Sequence, residues 1–232
     1  MEQTKKKHLS AATAIAPLFA AIVFAAIAVC SCENKPQGQE QEQEQHRTIK
    51  HITLTIKHVL EQRHSVRAYE DRIVSEVMVK DILWAANGVT REDGRRTAPS
   101  AINAQDIDLY VCTAKGVSKY IPKSARLEKV SGEDIRPLFK AQNEFVMKAP
   151  VTILLVSDQN KFGEPDPNGR YMRLGLIDAG IVSQNISLYC TAIGLGTVCC
   201  APPMETEEIQ ASLGLDEQQI PVLYHPIGYA AE

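Results

Sequence analysis

Arg63-His64-Ser65-Val66-Arg67 places two guanidinium groups and a hydroxyl within five residues. Such a set suits a phosphate dianion, which takes bidentate arginine contacts and hydroxyl donors; a solvated basic face has the same composition. Farther on, Pro99-Ser100-Ala101-Ile102-Asn103-Ala104-Gln105 combines small residues, which let backbone approach a flat ligand, with two amide side chains. Asn103 and Gln105 offer paired donors and acceptors for a pyrimidine-like edge, while Ser100 can also be read as the N-cap of a helix. A third set is Asp178-Ala179-Gly180, Gln184-Asn185 and Gly194-Leu195-Gly196.

The elements that must carry these residues follow from apolar spacing. Ile56, Val59 and Leu60 fit one helix face, whose last turn would deliver Arg63 to Arg67. Ser75 caps a second helix through Val77, Val79, Ile82, Leu83 and Ala86, stopped near Asn87-Gly88. A polar loop, Thr90 to Thr97, leads to the Pro99 stretch and then to a strand over Ile107 to Thr113. Gly116 to Ile121 and Arg126 to Val130 read as a hairpin, followed by a short helix around Glu133 to Lys140. Val151 to Val156 is an unbroken β-rich apolar run and so a central strand covered on both faces. From Arg170 to Leu195 the pattern is helical and apolar nearly all round, with Leu174, Ile177, Ile181, Ile186 and Leu188, which predicts a buried central helix. Thr197 to Cys200 is a strand, Glu205 to Leu213 an amphipathic helix, and Val222 to Tyr229 a last strand. Helices and strands mix without regular βαβ alternation, so the fold class is α+β, with a central mixed sheet flanked by helices.

Composition limits the functions open to such a domain. The chain has 232 residues and a formal charge of −3, which supplies no basic field for nucleic acid. A small molecule or another protein is the expected partner. There is no G-x-S-x-G, Walker A or H-E-x-x-H pattern, which removes the plainest hydrolase, nucleotidase and metalloprotease readings. Gly194-Leu195-Gly196 lacks a third glycine and follows a helix instead of a strand, against a dinucleotide fingerprint. Cys199-Cys200 are adjacent with no ligand-spaced Cys or His nearby, so no metal site is expected. Cys112, Cys190, Cys199 and Cys200 read as buried small residues, and a disulfide among them stays open in an exported protein.

Export is what the N-terminus indicates. Lys5-Lys6-Lys7, an apolar run from Ala11 to Val29 and Cys30-Ser31-Cys32 form the three-part layout of a bacterial secretory signal. Val29-Cys30-Ser31-Cys32 resembles a lipobox with Cys32 as the lipidated residue; an uncleaved spanning helix is the other reading, the run of about 19 residues being just long enough. The division is therefore residues 1–32 as signal peptide and lipobox, 33–47 as a Gln/Glu-rich tether, and 48–232 as the domain. Localisation would be exported and membrane-anchored, on the periplasmic side of the inner or outer membrane. With Cys32 as the mature start, 22 basic face 27 acidic residues, which gives no electrostatic adhesion to anionic lipid.

Arg63-x-Ser65-x-Arg67, Pro99-Ser100-x-x-Asn103-x-Gln105, Ala149-Pro150 before the central strand, and Asp178-x-Gly180-x-x-x-Gln184-Asn185 with Gly194-Leu195-Gly196 occur in the order found in the FMN-dependent nitroreductase family, which the chain resembles from about residue 53 to 229. Gly116 to Tyr120, Leu127 and Arg170-Tyr171-x-Arg173 are similar to the branch of azoline-oxidising, streptolysin-type peptide dehydrogenases. The resemblance implies that Arg63, Ser65 and Arg67 hold the FMN phosphate and flavin edge, with His64 contributing mainly through backbone. It implies that Pro99, Ser100, Ala101 and Asn103 reach the FMN of a partner subunit, hence a homodimer with flavins at its interface, and that Gln142 faces the pyrimidine ring. Cys199 and Cys200 belong to the loop that presents a backbone N–H toward flavin N5. The family often places Lys or Arg near the C-terminal strand, where this chain reads Gly228-Tyr229-Ala230-Ala231-Glu232, so phosphate binding leans on Arg63 and Arg67, with Arg170 or Arg173 as helpers. No catalytic side chain is required, because flavin carries hydride chemistry while the protein sets its surroundings. The expected function is two-electron transfer on a planar or conjugated small molecule. NAD(P)H is a possible donor that an exported domain would not readily meet. The alternatives are a flavin- or solute-binding lipoprotein that keeps the fold without turnover, and an interaction module that uses only the dimer surface.

Overall fold

The computed structural model describes residues 55–139, 143–163, 166, 168–201 and 203–231; the signal, lipobox and tether assigned to residues 1–47 lie outside them. Helix α1 (Ile56–Gln62) begins at Thr55, whose hydroxyl accepts from the His58 N–H at 3.2 Å. Helix α2 (Glu76–Asn87) is capped by Ser75, which accepts from Met78 N–H, and is ended by Gly88, both as the sequence predicts. Strands β1 (Ile107–Thr113), β2 (Gly116–Ile121) and β3 (Arg126–Ser131) form a meander. Next come α3 (Asn143–Lys148), β4 (Val151–Asp158), α4 (Arg170–Ala192), β5 (Gly196–Thr197), α5 (Thr206–Leu213) and β6 (Gln219–Gly228).

The sheet order is β3-β2-β1-β4-β6-β5, and every neighbouring pair is antiparallel. The α+β class holds, while the expected mixed sheet is antiparallel throughout its named strands. The reason is local at one edge: tight hairpins join β1, β2 and β3, and short turns can only reverse a strand. Parallel pairing among the described residues is confined to an isolated bridge between Ser65 and Thr197.

β4 lies inside the sheet and is buried at every position. Ile153 and Leu155 point to a core shared with Val79, Ile82 and Leu83 of α2 and Ala179, Val182 and Ile186 of α4. Leu154 and Val156 face the opposite core, with Tyr110, Phe139, Tyr224, Ile209 and Leu213. Burial on both faces explains why this strand shows no polar alternation in sequence.

Three expectations change. The short helix around Glu133 to Lys140 is a 3-10 turn, Arg136–Phe139. The strand expected over Thr197 to Cys200 is only Gly196–Thr197, after which the chain touches the sheet again at the Cys200–Tyr224 bridge. Helix α4 is not apolar toward the core all round: its fully buried positions include Gly175, Asp178, Ala179, Ser183 and Ser187, while Leu176 and Ile177 are 49% and 57% exposed. Small residues let α4 lie close on the sheet, with Val182 and Ile186 packed inward and Leu176 and Ile177 turned outward. Among the described residues no helix is long and apolar enough to cross a membrane.

Candidate functional site

Arg63 leaves α1 in an extended conformation, φ −60° and ψ 121°, while its N–H still donates to Val59 O. The chain then runs beside β5, where Val66 N–H donates to Thr197 O at 3.0 Å. Extended alternation sorts the motif: Val66 is buried, and Arg63, Ser65 and Arg67 are exposed. His64 is exposed as well, with Nδ1 2.9 Å from the Gln62 carbonyl. Tyr69 fastens the far end, its hydroxyl 2.8 Å from Val66 O and 3.1 Å from Pro226 O. Burial, first of all, raises the Tyr69 pKa, so the phenol remains a donor.

The same corner holds the segment after β5. Arg67 is close enough for its charge to favour the Cys200 thiolate, although burial dominates and pushes that thiol up to about 11. Cys200 is buried and Cys199 exposed, which corrects the expectation that both are core. Cys112 and Cys190 are buried as expected, and all four thiols are free. The segment of Arg63, Ser65 and Arg67 thus runs beside Thr197, two residues before Cys199. Gln142 lies outside the described residues, as does Cys32.

The Pro99 stretch forms no helix. Ala101–Asn103 is a single 3-10 turn in which Ile102 and Asn103, and then Gln105, take positive φ of 49°, 59° and 52°. Ser100 does not cap it; its hydroxyl accepts from the Gln105 N–H at 2.8 Å, closing the loop on itself. Gln105 Nε2 donates to Gly94 O at 3.1 Å, so this amide is engaged within the protein. Asn103 and Pro99 are exposed. The loop is moored to α4 by the Ala101 N–H, which donates to Asp178 Oδ2 at 2.8 Å.

α4 adjoins both groups. Asp178 on its first half holds the Ala101 N–H, and Ser183, five residues on, reaches Thr197 of the strip's partner strand through His225. Arg170 and Arg173 open the helix.

His225, missed in the sequence because a lone histidine on an apolar strand carries no pattern, ties α4 to the sheet beside the strip. Thr197 Oγ1 donates to Pro226 O at 2.8 Å, so at its 3.1 Å contact with Nδ1 the imidazole is the donor. Nε2 is left to accept from Ser183 Oγ at 2.8 Å. Complete burial depresses the imidazole to about pKa 3, so it is neutral. Among the described residues no cluster of His, Cys, Asp and Glu is arranged to hold a metal ion.

Residues 60–229 match the model of the nitroreductase family. A protein of Methanocaldococcus jannaschii that carries the name nitroreductase is 30% identical over 192 residues, 77% of this chain and 93% of that one. In solved structures, a nitroreductase-named protein from Ralstonia eutropha superposes with a TM-score of 0.71 at 30% identity, covering 77% of this chain and 84% of its own. A chain of the E. coli microcin synthetase complex superposes at 0.61 with 18% identity, covering 71% and 67%, a likeness of fold alone.

Proposed function

The chain belongs to the nitroreductase family, and from that premise we propose that it is an FMN-dependent oxidoreductase acting as a homodimer on a planar or conjugated small molecule. The observation that carries the reading is the exposed strip of Arg63, Ser65 and Arg67, pinned to Thr197 by backbone pairing and by the buried Val66 between them. Two guanidinium groups and a hydroxyl on alternate positions of a fixed extended segment are the right chemistry for the FMN phosphate. Backbone of the Cys199 and Cys200 segment would line the ring system. When bound, flavin supplies two-electron hydride chemistry, and these residues bind and orient it.

Exposed apolar surface around the Pro99 loop supports the homodimer. Beside Ser100, Ala101 and Asn103, Ile102, Leu176 and Ile177 are exposed apolar side chains. A two-fold arrangement that buries these apolar groups can bring one chain's loop to the other chain's arginine strip.

We further propose that the domain is exported and tethered to a membrane through lipid on Cys32, with the electron donor a membrane quinol or redox protein in preference to NAD(P)H. The finer likeness to azoline-oxidising dehydrogenases, resting on Gly116 to Tyr120, Leu127, Arg170, Tyr171 and Arg173, favours a conjugated heterocycle as substrate. A visible spectrum of the purified protein tests the central claim. A yellow protein with one FMN per chain, bleached anaerobically by a donor, is expected. A colourless protein that takes up no FMN would overturn the proposal, and a yellow one that no donor reduces would leave a binding protein without turnover.

A further inference from the structure

Under the Pro99 to Gln105 loop, two carboxyl groups are buried against each other. Asp106 is 0% exposed just before β1, and Asp178 is 3% exposed on α4. Asp106 Oδ2 accepts a hydrogen bond from Ser157 Oγ of β4 at 2.9 Å, while its Oδ1 is buried without a donor. Asp178 Oδ2 is the acceptor for Ala101 N–H. Asp178 follows Gly175 by one turn on the same helix face, which puts its carboxyl close enough to act on the ionisation of Asp106. Gly175 makes room for this arrangement, because a Cβ there would run into Ser157 Oγ and come within 3.2 Å of Asp106 Oδ2.

Two carboxylates at such range in a dry site repel, and an orphaned acceptor loses its hydration without return. One proton removes both costs: it turns Asp106 from acceptor to donor and gives it a partner. We propose that Asp106 carries a proton that it donates toward Asp178, and that this acid pair is the catch that holds the Ala101 amide and keeps the Ser100 to Asn103 surface in its flavin-binding geometry. The role in flavin binding rests on the function proposed above; the proton on Asp106 does not.

The surrounding groups pull both ways, burial and Asp178 toward the protonated acid, Ser157 and the Arg96 charge toward the carboxylate. Burial, then Asp178, pushes the Asp106 carboxyl up to about 7, and Ser157 opposes the rise. From the Thr90 to Thr97 loop, Arg96 is the cation that feels Asp106. Asp108 of β1 is already paired with Lys119 of β2 and Lys161 after β4, each at 2.7 Å. β4 contributes the neutral Ser157, and α4 contributes Asp178 with the side-chain-free Gly175. The catch is therefore closed while Asp106 is protonated and loosens as pH rises through neutrality. Loop tension works in the same direction, since Ile102, Asn103 and Gln105 all hold positive φ, a conformation that non-glycine residues keep only when their surroundings enforce it.

The test uses the full domain in two measurements. Without flavin, the ¹⁵N–¹H shift of Ala101 should titrate with a midpoint near 7. Asp106→Asn, which keeps an N–H donor toward Asp178 but has no proton to lose, should abolish that titration, and Ser157→Ala, which removes the donor that favours the ionised form, should move the midpoint upward. With FMN, the wild-type Kd should weaken about tenfold or more between pH 6 and 8.5, roughly 1.4 kcal/mol, and Asp106→Asn should reduce that dependence to less than about twofold. A flat Ala101 shift in the wild type, or a titration unchanged in Ser157→Ala, overturns the acid pair. A titrating Ala101 in a protein that binds no FMN at any pH upholds the pair and overturns the flavin reading instead.

Discussion

Gly196 meets Val66 so closely that a Cβ on the glycine would sit 2.7 Å from Val66 Cβ and Cγ1. The contact lets the segment bearing Arg63, Ser65 and Arg67 lie against β5, where Val66 N–H reaches Thr197 O. Neither partner can yield, because the branched side chain is buried beside its own backbone. Gly196→Ala is accordingly expected to destabilise the domain by about 1–3 kcal/mol, as overpacking does, and to weaken FMN retention. Adding Val66→Ala should recover part of both in a urea-melt double-mutant cycle; additive losses would show that the contact is not the cause.

Arg67→Ala should weaken FMN binding by at least about 1.5 kcal/mol, the low end for a hydrogen bond to a charged group, while thermal stability stays near wild type because the side chain is exposed. Arg63→Ala should act in the same way. Unchanged FMN affinity in the double variant, measured by fluorescence titration, would mean the phosphate lies elsewhere.

For the dimer, chains inactivated by Arg67→Ala and by Asn103→Ala are expected to complement on mixing. Two-fold symmetry collects both defects in one site of the heterodimer and leaves the other intact. Ile177→Glu, at a half-exposed apolar position on α4, should give a flavin-poor monomer by light scattering. A flavin-loaded wild-type monomer contradicts the shared site.

His225 gives the fold a pH dependence with a definite sign. Its folded pKa of about 3 lies below the ordinary 6.5, so between these values the unfolded chain binds the extra proton and stability falls as pH drops, by up to about 1.4 kcal/mol per pH unit. Asp106 runs the other way: raised from 3.8 to about 7, it withdraws stability as pH rises through that window. In denaturant melts from pH 6.5 to 4.5, His225→Asn should therefore gain on the wild type as pH falls. A constant difference between the two proteins would show that His225 does not titrate on unfolding.

The donor proposal predicts that a membrane quinol or redox protein reduces bound FMN faster than NADH or NADPH in anaerobic stopped-flow. A tenfold advantage for the nicotinamide, about 1.4 kcal/mol in the barrier, together with cytoplasmic fractionation, would falsify both the donor argument and the export reading of residues 1–32.

Local signals in the sequence were enough for most of the elements. Ser75 and Gly88 bound α2, β1 and β2 span the predicted residues, and the apolar run from Val151 marks the central strand, because caps, turns and burial act over a few residues. The three motifs were legible for the same reason, since side-chain types within each stretch suggest what it could bind. Tertiary structure decided how they combine. That Asp178 of α4 holds the Pro99 loop, that Leu176 and Ile177 face outward, and that Gln105 is spent on Gly94 all depend on the packing of distant segments. Asp106 and Asp178 are 72 positions apart in sequence, and His225 finds Ser183 and Thr197 only when α4 lies on the sheet. Each of these polar residues looks ordinary in sequence, and its pKa and role come from burial next to partners that only the folded chain supplies.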